Sequence, residues 1–265
     1  MFLQYALITS ILASVSCGIV GAYVVTKRIS MVSGGISHTV LGGIGLVVFL
    51  NSYYGFSISH IYGALLFALI SAIIIGLVNR YSRHNSDTII ASLWSLGMAI
   101  GVIFIAITPG YNTELMSYLF GNILMVTKTD MYLIAILDTV VIAFGLIYYH
   151  KLTAICFDEE FAKIKGLNAD LYYILLLCIS AITIVTLIQV VGVILVIALL
   201  SIPPAIAKQY SNSMWKMMLG ATGLGILFTV SGLILSYELD LPSGAVIIIV
   251  ASLFFAISTA LKRIY

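Results

Sequence analysis

The chain has 265 residues, 62% of them hydrophobic and only 8% charged, and its mean hydropathy is +1.18. A water-soluble domain of this size needs far more charge on its surface, so the composition is that of an all-α integral membrane protein. The formal net charge of +2 comes from scattered basic residues and offers no patch for nucleic acid.

A bilayer core about 30 Å thick takes roughly 20 apolar residues per helical crossing, and on that ruler the chain divides into about nine spans forming one transmembrane domain over 1–265. Eight spans remain possible if the first segment is not a span or two segments pair as a re-entrant loop. The first span runs from about Leu3 to Thr26. Its uncharged run is followed by Lys27-Arg28 rather than led by positive charge, which reads as a retained span and not a cleaved signal.

The second span, about Gly35 to Leu50, begins inside the small-residue stretch Met31 to Gly45. No Asp, Glu, Lys or Arg occurs from Ile29 to Asn79, so His38 is the first group there able to take a proton or a metal. On a helix Gly34, His38 and Gly42 share one face, with Gly35, Thr39 and Gly43 beside them, which leaves open space a turn above and below the ring. Two readings stand. An intramembrane ionisable residue is a functional candidate by default, and neutral imidazole is the commonest protein metal ligand. The other reading is a histidine hydrogen-bonded across a helix packing face.

Asn51 to Ser57 reads as a polar turn with interfacial tyrosines. The third span, about His60 to Val78, starts with a histidine that fits either an entry ligand for a metal or an interfacial residue without a role. The fourth, about Thr88 to Thr108, contains Gly97-xxx-Gly101, a close-packing signal, and Pro109-Gly110 stops it. Tyr111 to Asp130 contains an apolar run too short to cross and reads as a half-buried or interfacial helix. The fifth span, about Met131 to Tyr149, carries Asp138, which must face protein or water. Asp138 fits a pathway residue, a partner for a polar group such as Gln189, or a helix end near water.

The uncharged run from Leu171 to Ala207 exceeds one crossing and reads as two spans meeting near Gln189 to Gly192, with Pro203-Pro204 near the end of the second. The last two spans are about Met217 to Tyr237 and Ser243 to Leu261. Met98, Met116 and Met125 are soft enough to touch a metal but suit packing. Cys17, Cys156 and Cys178 have no zinc-ligand spacing and read as packing residues, while His84 and His150 lie among basic residues and carry no assigned role.

With alternating spans every basic residue except Lys128 falls on one side. The positive-inside rule then puts the N-terminus outside and the C-terminus in the cytoplasm. Glu114, Asp130, Glu238 and Asp240 make the outer face acidic, as a cation or a basic partner would favour and as ordinary loop acids would also do.

The longest cytoplasmic connection, at about 152–170, carries an apolar stripe of Phe157, Phe161, Ile164 and Leu167 among Asp158, Glu159, Glu160, Lys163 and Lys165. Glu159 and Lys163 are spaced for an i,i+4 pair, and Gly166 is a helix stop. Such a short amphipathic helix can lie on the bilayer or insert its stripe into a groove on a partner protein.

Here a family resemblance enters. Glu160-x-Ala162-x-x-x-Gly166 resembles the coupling-helix signature of ABC importer permeases. The wider chain resembles the permease subunit of the ABC importers for zinc and manganese. Lys27-Arg-Ile-Ser, Ser-Gly-Gly-Ile-Ser-His38, Asp87-Thr, Ser117 to Leu124, Phe157-Asp158 with Gly166-Leu, Val191 to Ala207 and Asp240-Leu-Pro-Ser-Gly244 match in order over nearly the whole length.

The resemblance implies a type II importer-like permease in a prokaryotic cell membrane. It implies a second copy of the chain, a separate ABC ATPase on the cytoplasmic side and an extracytoplasmic metal-binding protein as partners. Asp158, Glu160, Phe161, Ala162 and Gly166 are then the ATPase-coupling residues, His38 lies near the metal path, and His60 and Asp138 are further metal-ligand candidates. Zinc or manganese is transported cargo, with no permanently bound cofactor. The sequence has no G-x-x-x-x-G-K-[ST], so ATP is handled elsewhere and the permease itself does no chemistry.

One departure concerns the site. Many members carry an Asp one helical turn before the histidine, where this chain has Gly34. Losing a hard oxygen ligand shifts the balance from manganese towards zinc, although Asp138, a backbone carbonyl or the second protomer can supply a ligand. The rival readings are a secondary metal carrier or channel needing no ATPase, and a membrane scaffold. A carrier calls for inverted repeats and paired broken helices, and no convincing repeat is found.

Overall fold

The computed structural model describes residues 2–81, 86–108, 121, 123 and 126–264. Its helices are α1 (Phe2–Lys27), α2 (Ser30–Tyr54), α3 (His60–Tyr81), α4 (Ser86–Ala106), α5 (Lys128–Ile147), α6 (Tyr149–Phe157), α7 (Glu159–Ile164), α8 (Ala169–Val191), α9 (Val193–Tyr210), α10 (Met214–Leu239) and α11 (Ser243–Ile264). Among the described residues nine are long and apolar enough to cross a membrane, all but α6 and α7. The all-α, nine-span reading is thus met. Most of Tyr111 to Asp130, including Met116, Met125, Glu114 and the Ser117 to Leu124 motif apart from Gly121 and Ile123, lies outside the described residues, as do Arg83 and His84.

Two neighbourhoods share the bundle. In one, α2 lies between α3 and α4, and α3 leans on α8; in the other, α1 packs on α10, α9 and α5, while α9, α10 and α11 pack together. The small residues of α2 are what permit the first. A Cβ at Gly43 would run into the Gly63 carbonyl of α3, and one at Gly97 would come 2.5 Å from Thr39 Cα, so each contact is backbone against backbone. Gly97-xxx-Gly101 is therefore a true packing motif.

Helix ends follow local chemistry. α2 continues through Tyr54, beyond the turn expected at Asn51, and stops at Gly55 in the left-handed region. Asn51 instead clamps the loop, donating to the Ile58 carbonyl at 2.8 Å and accepting from the Ile58 N–H at 3.0 Å. Thr127 and Asp130 form a capping box that starts α5. Gly192, at φ 84° and ψ 159°, separates α8 from α9 at the predicted place.

Pro203 and Pro204 sit inside α9, in its second half. They withhold two N–H donors, and the face they disturb meets α1 at Gly21, where a Cβ would lie 2.5 Å from the Leu200 carbonyl. The cysteines are free thiols, with Cys17 and Cys156 buried in packing positions. Lys128 lies over the Tyr5 ring near the start of α1, at the opposite end of the bundle from Lys27.

Candidate functional site

His38 sits in α2 eight residues beyond Ser30, which puts it about 12 Å along the helix from the α1–α2 turn. Its imidazole is stacked on Trp94 of α4, ring centroids 4.2 Å apart and planes within 10°. The Trp94 indole N–H donates to Met98 Sδ at 3.1 Å, one turn further along α4. A Cβ at Gly34 would lie 3.5 Å from Trp94 Cζ3. The space expected beside the ring is thus occupied by an indole, which covers one face of the imidazole and passes over the position where Gly34 has no side chain.

Trp94 was not singled out by sequence reasoning. The signal was the register: Gly97 packs on Thr39, so Trp94, nearly one turn earlier on α4, falls against His38 and Gly34. That register is set by two helices remote in sequence.

The other metal candidates stand apart from His38. His60 opens α3, and because Gly43 and Gly63 meet across antiparallel helices, His38 and His60 are separated by roughly 12 Å along the bundle axis. Asp138 is buried in the middle of α5 at 4% exposure and accepts a hydrogen bond from the Ser16 hydroxyl of α1. Its other carboxylate oxygen has no partner among the described residues. It is therefore neither a helix end near water nor a partner of Gln189, whose side chain is exposed. Among the described residues no three His, Cys, Asp or Glu converge as a metal site. Neither His60 nor Asp138 stands beside His38 in the described structure.

The connection at about 152–170 is two short helices instead of one. Asp158 adopts an extended backbone (φ −149°, ψ 98°) that parts α6 from α7, and its side chain caps α7 by accepting from the Phe161 N–H at 2.9 Å. Ala162 is buried against Ile155 and Ala169. Gly166 ends α7 at φ 81°, with its N–H on the Lys163 carbonyl and the Leu167 N–H on the Ala162 carbonyl, the paired bonds of a Schellman stop. Glu160 in the first turn is exposed.

Glu159 is the anchor. One oxygen takes the Lys27 ammonium at 2.7 Å, the other that of Lys163 at 3.0 Å, as the i,i+4 spacing predicted. Lys163 also reaches Asp170 at 2.9 Å, and Arg80 approaches Asp170 at 3.6 Å. Burial alone would raise the Glu159 carboxyl, but the two ammonium groups overcome it and hold the carboxyl down to about 2. The Lys27 contact crosses from α1 and was invisible to helical periodicity.

Three large apolar side chains of this connection also remain outside. Phe157 is 69% exposed, Phe161 54% and Ile164 83%. These three side chains form an apolar ledge across the α6–α7 junction, on the end of the bundle that carries Lys27, Arg80, Lys163 and Lys208.

An uncharacterized membrane protein of Synechocystis is 44% identical over 262 residues, covering 99% of this chain and 91% of that protein. The manganese import system permease protein ScaB of Streptococcus parasanguinis is 35% identical over 257 residues, covering 97% and 89%. The solved structure of PsaBC from Streptococcus pneumoniae in complex with Fab superposes with a TM-score of 0.85 at 34% identity, covering 97% of this chain and 91% of that one. The profile of the ABC 3 transport family matches residues 1–262, and with relatives this similar along their whole length the chain belongs to that family.

Proposed function

We propose that the chain is the membrane permease of an ATP-driven importer for a divalent transition metal, zinc or manganese. The observation that carries this reading is the apolar ledge of Phe157, Phe161 and Ile164, exposed across the junction of α6 with α7, a helix capped by Asp158 at its start and closed by Gly166 at its end. A helix built only to pack on its own bundle would bury those side chains, and a ledge fixed in this way suits a groove on a separate ATPase. Asp158, Ala162 and Gly166 set its geometry, and Glu160 and Phe161 face the partner.

In this reading ATP binding and hydrolysis in the ATPase bias the permease between two states that open to opposite sides. His38 offers the passing metal one nitrogen ligand, and a second copy of the chain completes the pathway. A single imidazole is weak enough to release its cargo, as conduction requires. With Gly34 in place of a carboxylate and Asp138 on another helix pair, the ligand set suits zinc better than manganese. The face bearing Lys27, Lys163 and Lys208 is cytoplasmic by the positive-inside rule, which leaves the N-terminus of α1 outside, where an extracytoplasmic binding protein delivers the metal.

The test is uptake into vesicles containing the permease, its ATPase and its binding protein, with zinc and manganese in competition. ATP-dependent uptake of either metal is the expected result. Uptake that persists without ATP, or with Phe157, Phe161 and Ile164 all changed to Ser, would instead support a carrier or channel.

A further inference from the structure

The coupling ledge has to act on a residue within the membrane, and the structure contains a short route for it. Lys27 is the last residue of α1; Arg28 follows in the left-handed region at φ 63°, and α2 starts at Ser30. A turn this tight, made by a residue with a side chain in a conformation that glycine usually supplies, leaves little slack between Lys27 and α2. From Ser30, about 12 Å of continuous helix leads to His38 and its Trp94 cover.

The Lys27 ammonium leaves its own helix pair to do its bonding. It donates to Glu159 Oε2 at 2.7 Å and to the Ile155 carbonyl at 3.1 Å, so it grips the first turn of α7 and the last turn of α6 together. It also lies 5.9 Å from the centroid of the Tyr173 ring on α8. The two charged side chains are 14% and 16% exposed, so water screens their attraction little. The tie that Lys163 makes from α7 to Asp170 on α8 is more open, Lys163 being 38% exposed. Of these two ties, the sheltered one ends on the α1–α2 turn.

We propose that Lys27 is a positioning residue that transmits movement of the coupling helix to α2, and so to His38, through its paired grip on Glu159 and the Ile155 carbonyl. This rests on the ATP-driven reading given above. An ammonium suits the task because it gives two directed bonds to acceptors on different helices while its aliphatic stem packs below. Displacing α7 then drags the α1–α2 turn, whereas a neutral side chain of the same length fills the space and lets α7 move alone.

The experiment uses the assembled complex in vesicles with the binding protein, measuring ATP hydrolysis and uptake of zinc(II) and of manganese(II) on the same preparation. Lys27→Met is expected to keep ATPase association and hydrolysis while the metal carried per ATP falls by about tenfold, within the usual span of a coupling between sites. Lys27→Arg, which keeps both donors, should retain most of the ratio. Lys27→Glu should lose it, and Lys27→Glu with Glu159→Lys should regain part of it even if neither single variant is well folded.

Parallel loss of hydrolysis and uptake in Lys27→Met, with no recovery in the exchanged pair, would reduce Lys27 to a structural residue. An unchanged ratio would remove it from coupling altogether. Both outcomes leave ATP-driven import by the unaltered chain intact, whereas ATP-independent uptake by the unaltered chain would overturn the importer reading and this one with it.

Discussion

At the scale of single residues, the His38–Trp94 pair is where packing and chemistry meet. Stacked aromatic pairs add about 0.5–1.5 kcal/mol beyond the area they bury, and here the stack also fixes which face of the imidazole stays open. His38→Ala is expected to leave expression and assembly unchanged while weakening metal uptake about tenfold, the equivalent of about 1.4 kcal/mol of lost ligand contact. A variant that no longer folds would return His38 to packing. Trp94→Ala should lower the melting temperature of the complex, by as much as about 3 kcal/mol in stability if the gap does not refill, and Trp94→Phe should recover most of it. Equal stability of the two would show that the ring contact contributes nothing. Asp138→Asn keeps an acceptor for the Ser16 hydroxyl, so folding and uptake are both expected to survive; selective loss of uptake would place Asp138 on the metal path.

At the scale of elements, two glycine positions decide geometry that no side chain could adjust. α2 and α3 touch through backbone at Gly43 and Gly63, so Gly43→Val has to push the helices apart. Overpacking of this kind costs about 1–3 kcal/mol or more, read as a lowered thermal midpoint of the purified complex. Gly166 matters for a different reason. Its φ of 81° costs an L-residue about 1–2 kcal/mol, so Gly166→Ala is expected to fray the end of α7 and reduce co-purification of the ATPase, with little effect on the membrane helices. Full retention of the ATPase would show that the stop is not needed for docking.

At the scale of the whole molecule, the ion network at the Lys27 end of the bundle joins α1, α7, α8 and α3. It also gives stability a defined pH dependence. The Glu159 carboxyl is held at about 2, below the usual value near 4.5, because Lys27 and Lys163 outweigh its burial. The folded value is the depressed one, so this contribution is complete above the unfolded value and is lost as pH falls through the window between about 4.5 and 2. Melting measured across that window should show a decline that Glu159→Gln removes; an identical decline in the variant would assign the pH dependence to other carboxylates.

The sequence by itself determined the membrane class, a division into about nine apolar spans, the break at Gly192 and the Gly166 stop. Each depends on local quantities: apolar run length, helical period, and a backbone angle or small-residue contact that few residues tolerate. The Glu159–Lys163 pair was legible for the same reason, since four residues of helix bring the two together. Only the tertiary structure decided that an indole covers His38, that Asp138 belongs to Ser16 and lies on a different helix pair, and that Lys27 reaches across to α7. Those contacts join residues far apart in the chain, and their partners depend on the register and rotation of packed helices, which periodicity along one helix does not encode.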